Sequence, residues 1–199
     1  YVKWKNGEFQ VCLKHTVGEQ EVSVILEGGE KNYNEMADPN YPLMAWSNTG
    51  YKLAILYKKG NGMRLRIYDA TKGKMFTYVV PNNRFDRALG MAIDEDNNGI
   101  IFSAIRKSQT DLFYFAIKGA RMRNITNDIW DDVEPAFVTG GQKRGIMFLS
   151  NRPKPNMDVP SEVNELPTGP MNVYFYNTTT KSPKLFQCSD ADSNTIVTQ

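Results

Sequence analysis

Three aromatic residues, Tyr41, Phe85 and Trp130, stand 44 and then 45 residues apart, and each opens a segment with the same internal order. The segments run from Tyr41 to Val80, from Phe85 to Thr126, and from Trp130 to Arg152, the last resuming at Met171. Each begins with an acidic or Pro-containing entry and a short strand. A polar turn follows (Ser47 to Gly50, Asp94 to Gly99, Thr139 to Gly145), then an apolar strand, a looser turn, an aromatic strand and a last strand. Four strands per unit at that period is the β-propeller pattern. The fold expected is therefore all-β, a β-propeller with about three full blades at 41–80, 85–126 and 130–188.

The strand runs are Phe9 to Lys14, Glu21 to Leu26, Lys52 to Tyr57, Arg64 to Tyr68, Met75 to Val80, Gly99 to Ala104, Asp111 to Ile117, Gly145 to Leu149, Asn172 to Tyr176 and Lys184 to Gln187. All are short, rich in β-branched or aromatic residues, and bounded by Gly, Asn, Asp, Lys or Pro. No window carries the three- and four-residue apolar spacing of a long amphipathic helix. Gly7 to Lys14 and Glu21 to Glu27 read as the last two strands of a partial blade within 1–33, and 189–199 as the start of another, its first strand at Thr195 to Thr198. Together these make one propeller domain over 1–199, interrupted by a Pro-rich insertion at 152–170. Rings of this repeat length need about four to eight blades. The absence of a start Met and the abrupt ends lead us to expect a piece of a longer protein, in preference to a four-blade ring closed by the first two strands and the last.

Composition narrows the function. Twenty-four basic and 22 acidic residues are spread along the chain without a basic stripe, so nucleic acid is not expected as a partner. No apolar run approaches the ~20 residues of a spanning helix. Cys12 and Cys188 show no CxxC spacing, so neither a disulfide framework nor a zinc site is indicated. The one histidine, His15, follows a predicted strand, and no GxSxG, GxxxxGK[ST], HExxH or GxGxxG is present. We expect no catalytic set, no cofactor and no metal. Asp94 to Gly99 has the opening of a calcium loop, but its twelfth position is Ile105 where a bidentate Glu is needed, and the repeat makes it a hairpin turn. Asn124 and Asn177 stand in sequon form at strand ends, where Asn and Thr already serve turns.

The candidate site is the set of loops that enter the blades, which a propeller gathers on one face. The residues expected to bind a partner are Tyr41, Phe85, Asp86, Arg87, Trp130, Asp131 and Asp132, aromatics flanked by charge as at interface hot spots. The alternative is a sugar- or peptide-processing enzyme using Asp86, Arg87, Asp131, Asp132 and Glu134 at a polar channel mouth, and a third reading makes the propeller a spacer. Since the insertion joins second to third strands, it is expected beside the entry loops. Trp46, Ile93 and Phe137, in register before their hairpin turns, are expected to be buried between blades.

Pro42 with Trp46-Ser47-Asn48-Thr49-Gly50-Tyr51-Lys52-Leu53 resembles the "P-x-W-S-P-D-G-K" repeat of TolB-type, WD-like propellers of the bacterial envelope, here without the Pro-Asp pair. Glu134-Pro135-Ala136-Phe137 with Gly145-Ile146-Met147-Phe148-Leu149-Ser150-Asn151-Arg152 is similar to that repeat's "P-x-F … I-x-F-x-S-x-R", while Phe85 to Ala88 and Leu112 to Tyr114 match more loosely. Tyr41 to Asp69 and Asn124 to Asn177 are also similar to the propeller region of large exported bacterial proteins of uncertain function. The resemblance implies a periplasmic or outer membrane-associated protein that holds protein partners within an envelope complex, without catalysis.

Overall fold

The computed structural model describes residues 1–18, 21–30, 41–60, 62–81, 84–94, 99–139, 144–152, 170–178 and 182–184. These residues form fifteen strands and no helix: β1 Val2–Lys5, β2 Glu8–Lys14, β3 Val22–Glu30, β4 Leu43–Trp46, β5 Lys52–Lys59, β6 Gly62–Asp69, β7 Lys74–Val80, β8 Arg87–Asp94, β9 Gly99–Arg106, β10 Gln109–Ala116, β11 Arg121–Asn124, β12 Asp132–Val138, β13 Gly145–Ser150, β14 Asn172–Asn177 and β15 Ser182–Lys184. They build one three-stranded sheet, β1 to β3, and three four-stranded sheets, β4 to β7, β8 to β11 and β12 to β15, each in strict chain order. Sequential four-stranded meanders at a constant repeat are propeller blades, and the chain is an all-β protein of that architecture.

Two compact units divide the chain. The first holds Tyr1–Phe85, Ile93–Ile100 and Phe115–Met122, and the second Asp86–Ala92, Ile101–Tyr114 and Arg123–Gln199. In the first, Phe9, Val11 and Leu26 of the three-stranded sheet pack on Leu53, Ile55 and Tyr57 of β5. In the second, Ile101 and Leu112 of β9 and β10 pack on Ile146, Phe148 and Tyr174 of β13 and β14. The second strand of a blade is covered on both faces, which is why β5 and β9 read as near-continuous apolar runs, broken only by Ser103, instead of alternating ones: Leu53 to Tyr57 and Gly99 to Ala104 are buried throughout.

Two expectations need correction. The leading sheet has three strands, because Val2–Lys5 pairs with β2 through a tight hairpin whose Asn6 and Gly7 both take positive φ (51° and 83°), as the favoured two-residue turn requires. Its Val-Lys-Trp-Lys sequence shows no apolar run. Trp46 is 47% exposed, not buried. It ends a four-residue strand at the Ser47 to Gly50 turn, where the sheet no longer covers it. Ile93 is buried in β8, and Phe137 of β12 is half-buried against the second core, so the three positions share a strand place but not an environment. In the third four-stranded sheet β15 is described over Ser182–Lys184, and 185–187 of the strand expected at Lys184 to Gln187 lie outside the described residues. The calcium-like turn at 95–98, the insertion at 153–169 and the partial blade at 189–199 fall outside the described residues.

Gly29 shows how tightly the first core is closed. It holds φ at +77°, and a Cβ there would come within 2.2 Å of the Phe9 ring. A side chain at this position would be both strained and overlapped.

Candidate functional site

One residue of each entry loop is tied to the end of its own blade's second strand or to the turn that follows it. In the first unit the Lys58 amide donates to the Tyr41 hydroxyl at 3.0 Å, and that hydroxyl lies 3.3 Å from the Lys58 carbonyl. In the second unit the Asp86 amide donates to the Ile105 carbonyl at 2.8 Å, and the Asp86 carboxylate accepts from the Lys107 amide at 3.3 Å. Lys107 and Ser108 form the β9–β10 turn with positive φ at both positions, so this acceptor steadies a turn built of residues that rarely adopt that shape. The Asp131 amide donates to Asn151 Oδ1 at 2.8 Å, and the Asn151 amide returns to the Asp131 carbonyl at 3.4 Å.

The loop from Asn124 to Asp132 is the most heavily bonded of these. The Leu112 amide donates to Thr126 Oγ1 at 2.8 Å, the Thr110 amide to Asp131 Oδ1 at 2.9 Å, and the Trp130 amide to Asp128 Oδ1 at 2.9 Å. Beneath it lies a buried ion pair. Asp132 faces Ser150 across the β12–β13 ladder and is 0% exposed. Arg152 Nη2 donates to both of its oxygens, at 2.8 and 2.7 Å, and lies 3.0 Å from Asp128 Oδ2. Arg152 Nε donates to Ser150 Oγ at 2.9 Å, while its guanidinium carbon lies 5.7 Å from the Phe148 ring centre and 5.3 Å from that of Tyr174. The Tyr174 hydroxyl donates to the Arg152 carbonyl at 2.7 Å. A guanidinium suits this place because it is planar, holds its charge and presents several donors at once. Arg152 thus ties the entry loop to the chain just after β13, while the expected place of the insertion beside the entry loops falls outside the described residues.

Burial pushes the Asp132 carboxyl up from the ordinary aspartate range, and the Ser150 hydroxyl, Arg152 and Thr126 draw it back. Asp111 is also raised, first by burial, against the lowering effect of the Asn124 amide that donates to its Oδ2 at 2.9 Å. Asp111 Oδ1 and Asn124 Oδ1 are buried with no hydrogen-bond partner among the described residues. Raised carboxyls bind more protons folded than unfolded. Their contribution to stability is full below the ordinary aspartate value and is lost as pH rises through the folded value. Asp111→Asn, which is neutral at every pH and so carries no charge to bury, is expected to be more stable than the parent at about pH 7, with the advantage vanishing as pH falls below the ordinary aspartate value. Urea midpoints at neutral and acid pH measure this; an Asn variant weaker than the parent at neutral pH contradicts it.

The seven sequence-selected residues therefore divide. Phe85 is 7% exposed and Asp132 is fully buried, so these two support the fold from within. Asp86 and Arg87 are exposed, and Tyr41, Trp130 and Asp131 are half-buried. Asp86 and Asp131 spend carboxylate oxygens on backbone amides, the turn role that Asp commonly serves. Glu134 is exposed, with φ at +50° in the irregular stretch of β12. His15 is exposed directly after β2, and Cys12 is buried with its sulfur 3.8 Å from the Gln10 carbonyl. Sequence reasoning missed Arg152, Ser150 and Asp128 as members of the site. The signal was present, since a Ser and an Arg two residues apart at the end of β13 fall across from an Asp at the start of β12.

No family model matches the sequence, and no curated protein matches it. Among solved structures the chain is similar to a protein described as TolB from Agrobacterium tumefaciens, at 15% identity and a TM-score of 0.47, over 90% of this chain and 60% of that one. It is also similar to the tricorn protease, at 14% identity and a TM-score of 0.46, over 89% of this chain and 17% of that one. It spans less than two thirds of the length of either. On its own four-stranded meanders the chain is a β-propeller region.

Proposed function

We propose that this chain is a non-catalytic propeller module that docks a protein partner in the bacterial cell envelope, with the entry loop Asn124 to Asp132 at the centre of the contact. The observation that carries the reading is the presentation of Trp130 on a loop already fixed by the Asp128, Asp131, Thr126 and Arg152 bonds. A half-exposed Trp on a loop of this kind loses little conformational entropy on docking, and Trp is among the residues that dominate binding energy. Ile129 beside it is also half-buried, and Asp86 and Arg87 add exposed charge at a second entry loop. The non-catalytic reading draws on the state of the carboxylates that a channel-mouth enzyme would use. Asp132 is held by Arg152, and Asp131 accepts from the Thr110 amide, so neither is placed to exchange protons with a substrate. The periplasmic or outer-membrane location rests on the likeness of Pro135 to Arg152 to the TolB-type repeat.

The experiment is photo-crosslinking in the native cell from a probe at position 130, with a probe at Lys118, an exposed residue of the β10–β11 turn, as control. A discrete protein captured from 130 and absent from 118 is the expected result. Capture of the same set from both positions, or of none from 130, contradicts the proposal.

A further inference from the structure

The outer edges of the four sheets are not alike. A long, regular, uncharged edge strand offers its unpaired backbone groups to another strand, and proteins usually prevent this with short strands, charge or bulges. Two of the other outer edges carry such devices. The pairing of β3 with β2 is interrupted by two register shifts, and Gly28 and Gly29 sit near its end. β11 is only four residues long and carries Arg121 and Arg123. β15 is described over three residues only, with those that follow it outside the described residues. The outer edge of the β4–β7 sheet has none. β7 runs for seven residues, Lys-Met-Phe-Thr-Tyr-Val-Val, in unbroken register with β6 from Lys74 to Val80. After Lys74 it has no charge, Gly or Pro, and it leaves Phe76 42% and Val79 57% exposed. Among the described residues no further strand pairs with it.

We propose that β7 pairs antiparallel with β7 of a second copy of this chain, about a two-fold axis through Thr77. The strand is self-complementary in this register. Phe76 falls opposite Tyr78, Met75 opposite Val79, Thr77 opposite Thr77, and Lys74 opposite Val80. Aromatic pairs and Thr–Thr pairs are among the favourable cross-strand combinations, and the only charge on the strand meets an aliphatic residue rather than its own copy. The contact is isologous and closes on itself, so it gives a dimer and not a filament. A single strand pair lies at the small end of specific interfaces, so the dimer is weak and concentration-dependent.

Analytical ultracentrifugation of the full chain from micromolar to millimolar concentration is expected to show a monomer passing to a dimer, and Val79→Lys, an exposed position, is expected to remain a monomer with an unchanged circular-dichroism spectrum. Under a mild oxidant Thr77→Cys is expected to form a disulfide-linked dimer, while Lys74→Cys, which faces Val80 across the axis, is expected to link no more than the parent chain with its own Cys12 and Cys188. Monomers at every concentration, a dimer that Val79→Lys leaves intact, or equal linking of Thr77→Cys and Lys74→Cys, as in-register parallel stacking gives, would each overturn the proposal. So would a probe at position 79 that captures a different protein in place of a second copy.

Discussion

Replacing Arg152 with Ala is expected to cost about 3–5 kcal/mol of stability, the usual penalty for stranding one partner of a buried ion pair. The reason is Asp132, which is wholly buried and has both oxygens on Arg152 Nη2. Ser150 and Thr126 also bond that carboxylate, but two hydroxyls do not neutralise its charge. For a chain of this size the loss corresponds to a fall in Tm on the order of 10 °C. Arg152→Lys is expected to lose less, because the charge stays while the bond to Ser150 Oγ and the planar contacts with Phe148 and Tyr174 go. The Ala variant's deficit should also shrink as pH falls, since a protonated Asp132 no longer leaves a bare charge in the interior. Urea unfolding of the three proteins at neutral and acid pH measures this, and a loss under about 1 kcal/mol, the value of an exposed ion pair, contradicts the assignment.

Phe9→Ala is expected to cost about 3–5 kcal/mol, as large-to-small changes of a buried aromatic do. The ring is fully buried and meets three others, with centres 6.1 Å from Trp4, 5.8 Å from Tyr41 and 5.3 Å from Tyr57, all near edge-to-face. Such pairs add about 0.5–1.5 kcal/mol each beyond the area they bury. Collapse into the cavity is restricted because Gly29 already stands against the ring with its backbone. Phe9→Leu keeps most of the volume and should lose clearly less. Equal losses for the two variants in urea unfolding would mean that the volume Leu keeps contributes nothing and would contradict this expectation.

The strands most open to reading in the sequence are those covered on both faces, such as β5 and β9, because burial on two sides leaves few polar residues, only Ser103 in β9, to break the apolar run. The first strands were harder. β4, β8 and β12 are short or carry Gly90, Asp132 and Pro135, residues that serve packing and pairing instead of propensity. Gly90 is one case: a Cβ there would lie 2.8 Å from Ser103 Oγ and 3.5 Å from Pro135 Cδ, so the strand tolerates a residue of low β propensity to allow close approach. The repeat located the entry loops because spacing survives where propensity fails. It did not tell Asp131 from Asp132, which are adjacent in sequence yet face different surroundings, one half-buried and bonded to the Thr110 amide and one sealed against Arg152. Alternation along a strand decides that difference, and Asp132 is the first residue of β12 while Asp131 lies just outside it.

The central claim is that the loop carrying Trp130 is fixed in the free protein. Amide hydrogen exchange measures this directly, because four amides, those of Thr110, Leu112, Trp130 and Asp131, donate to side-chain acceptors and not to a strand. All four are expected to exchange slowly in the parent chain, with Trp130 and Asp131 losing that protection in Arg152→Lys while strands β9 and β13 keep theirs. Exchange of the Trp130 and Asp131 amides in the parent at the rate of an open loop would contradict the account.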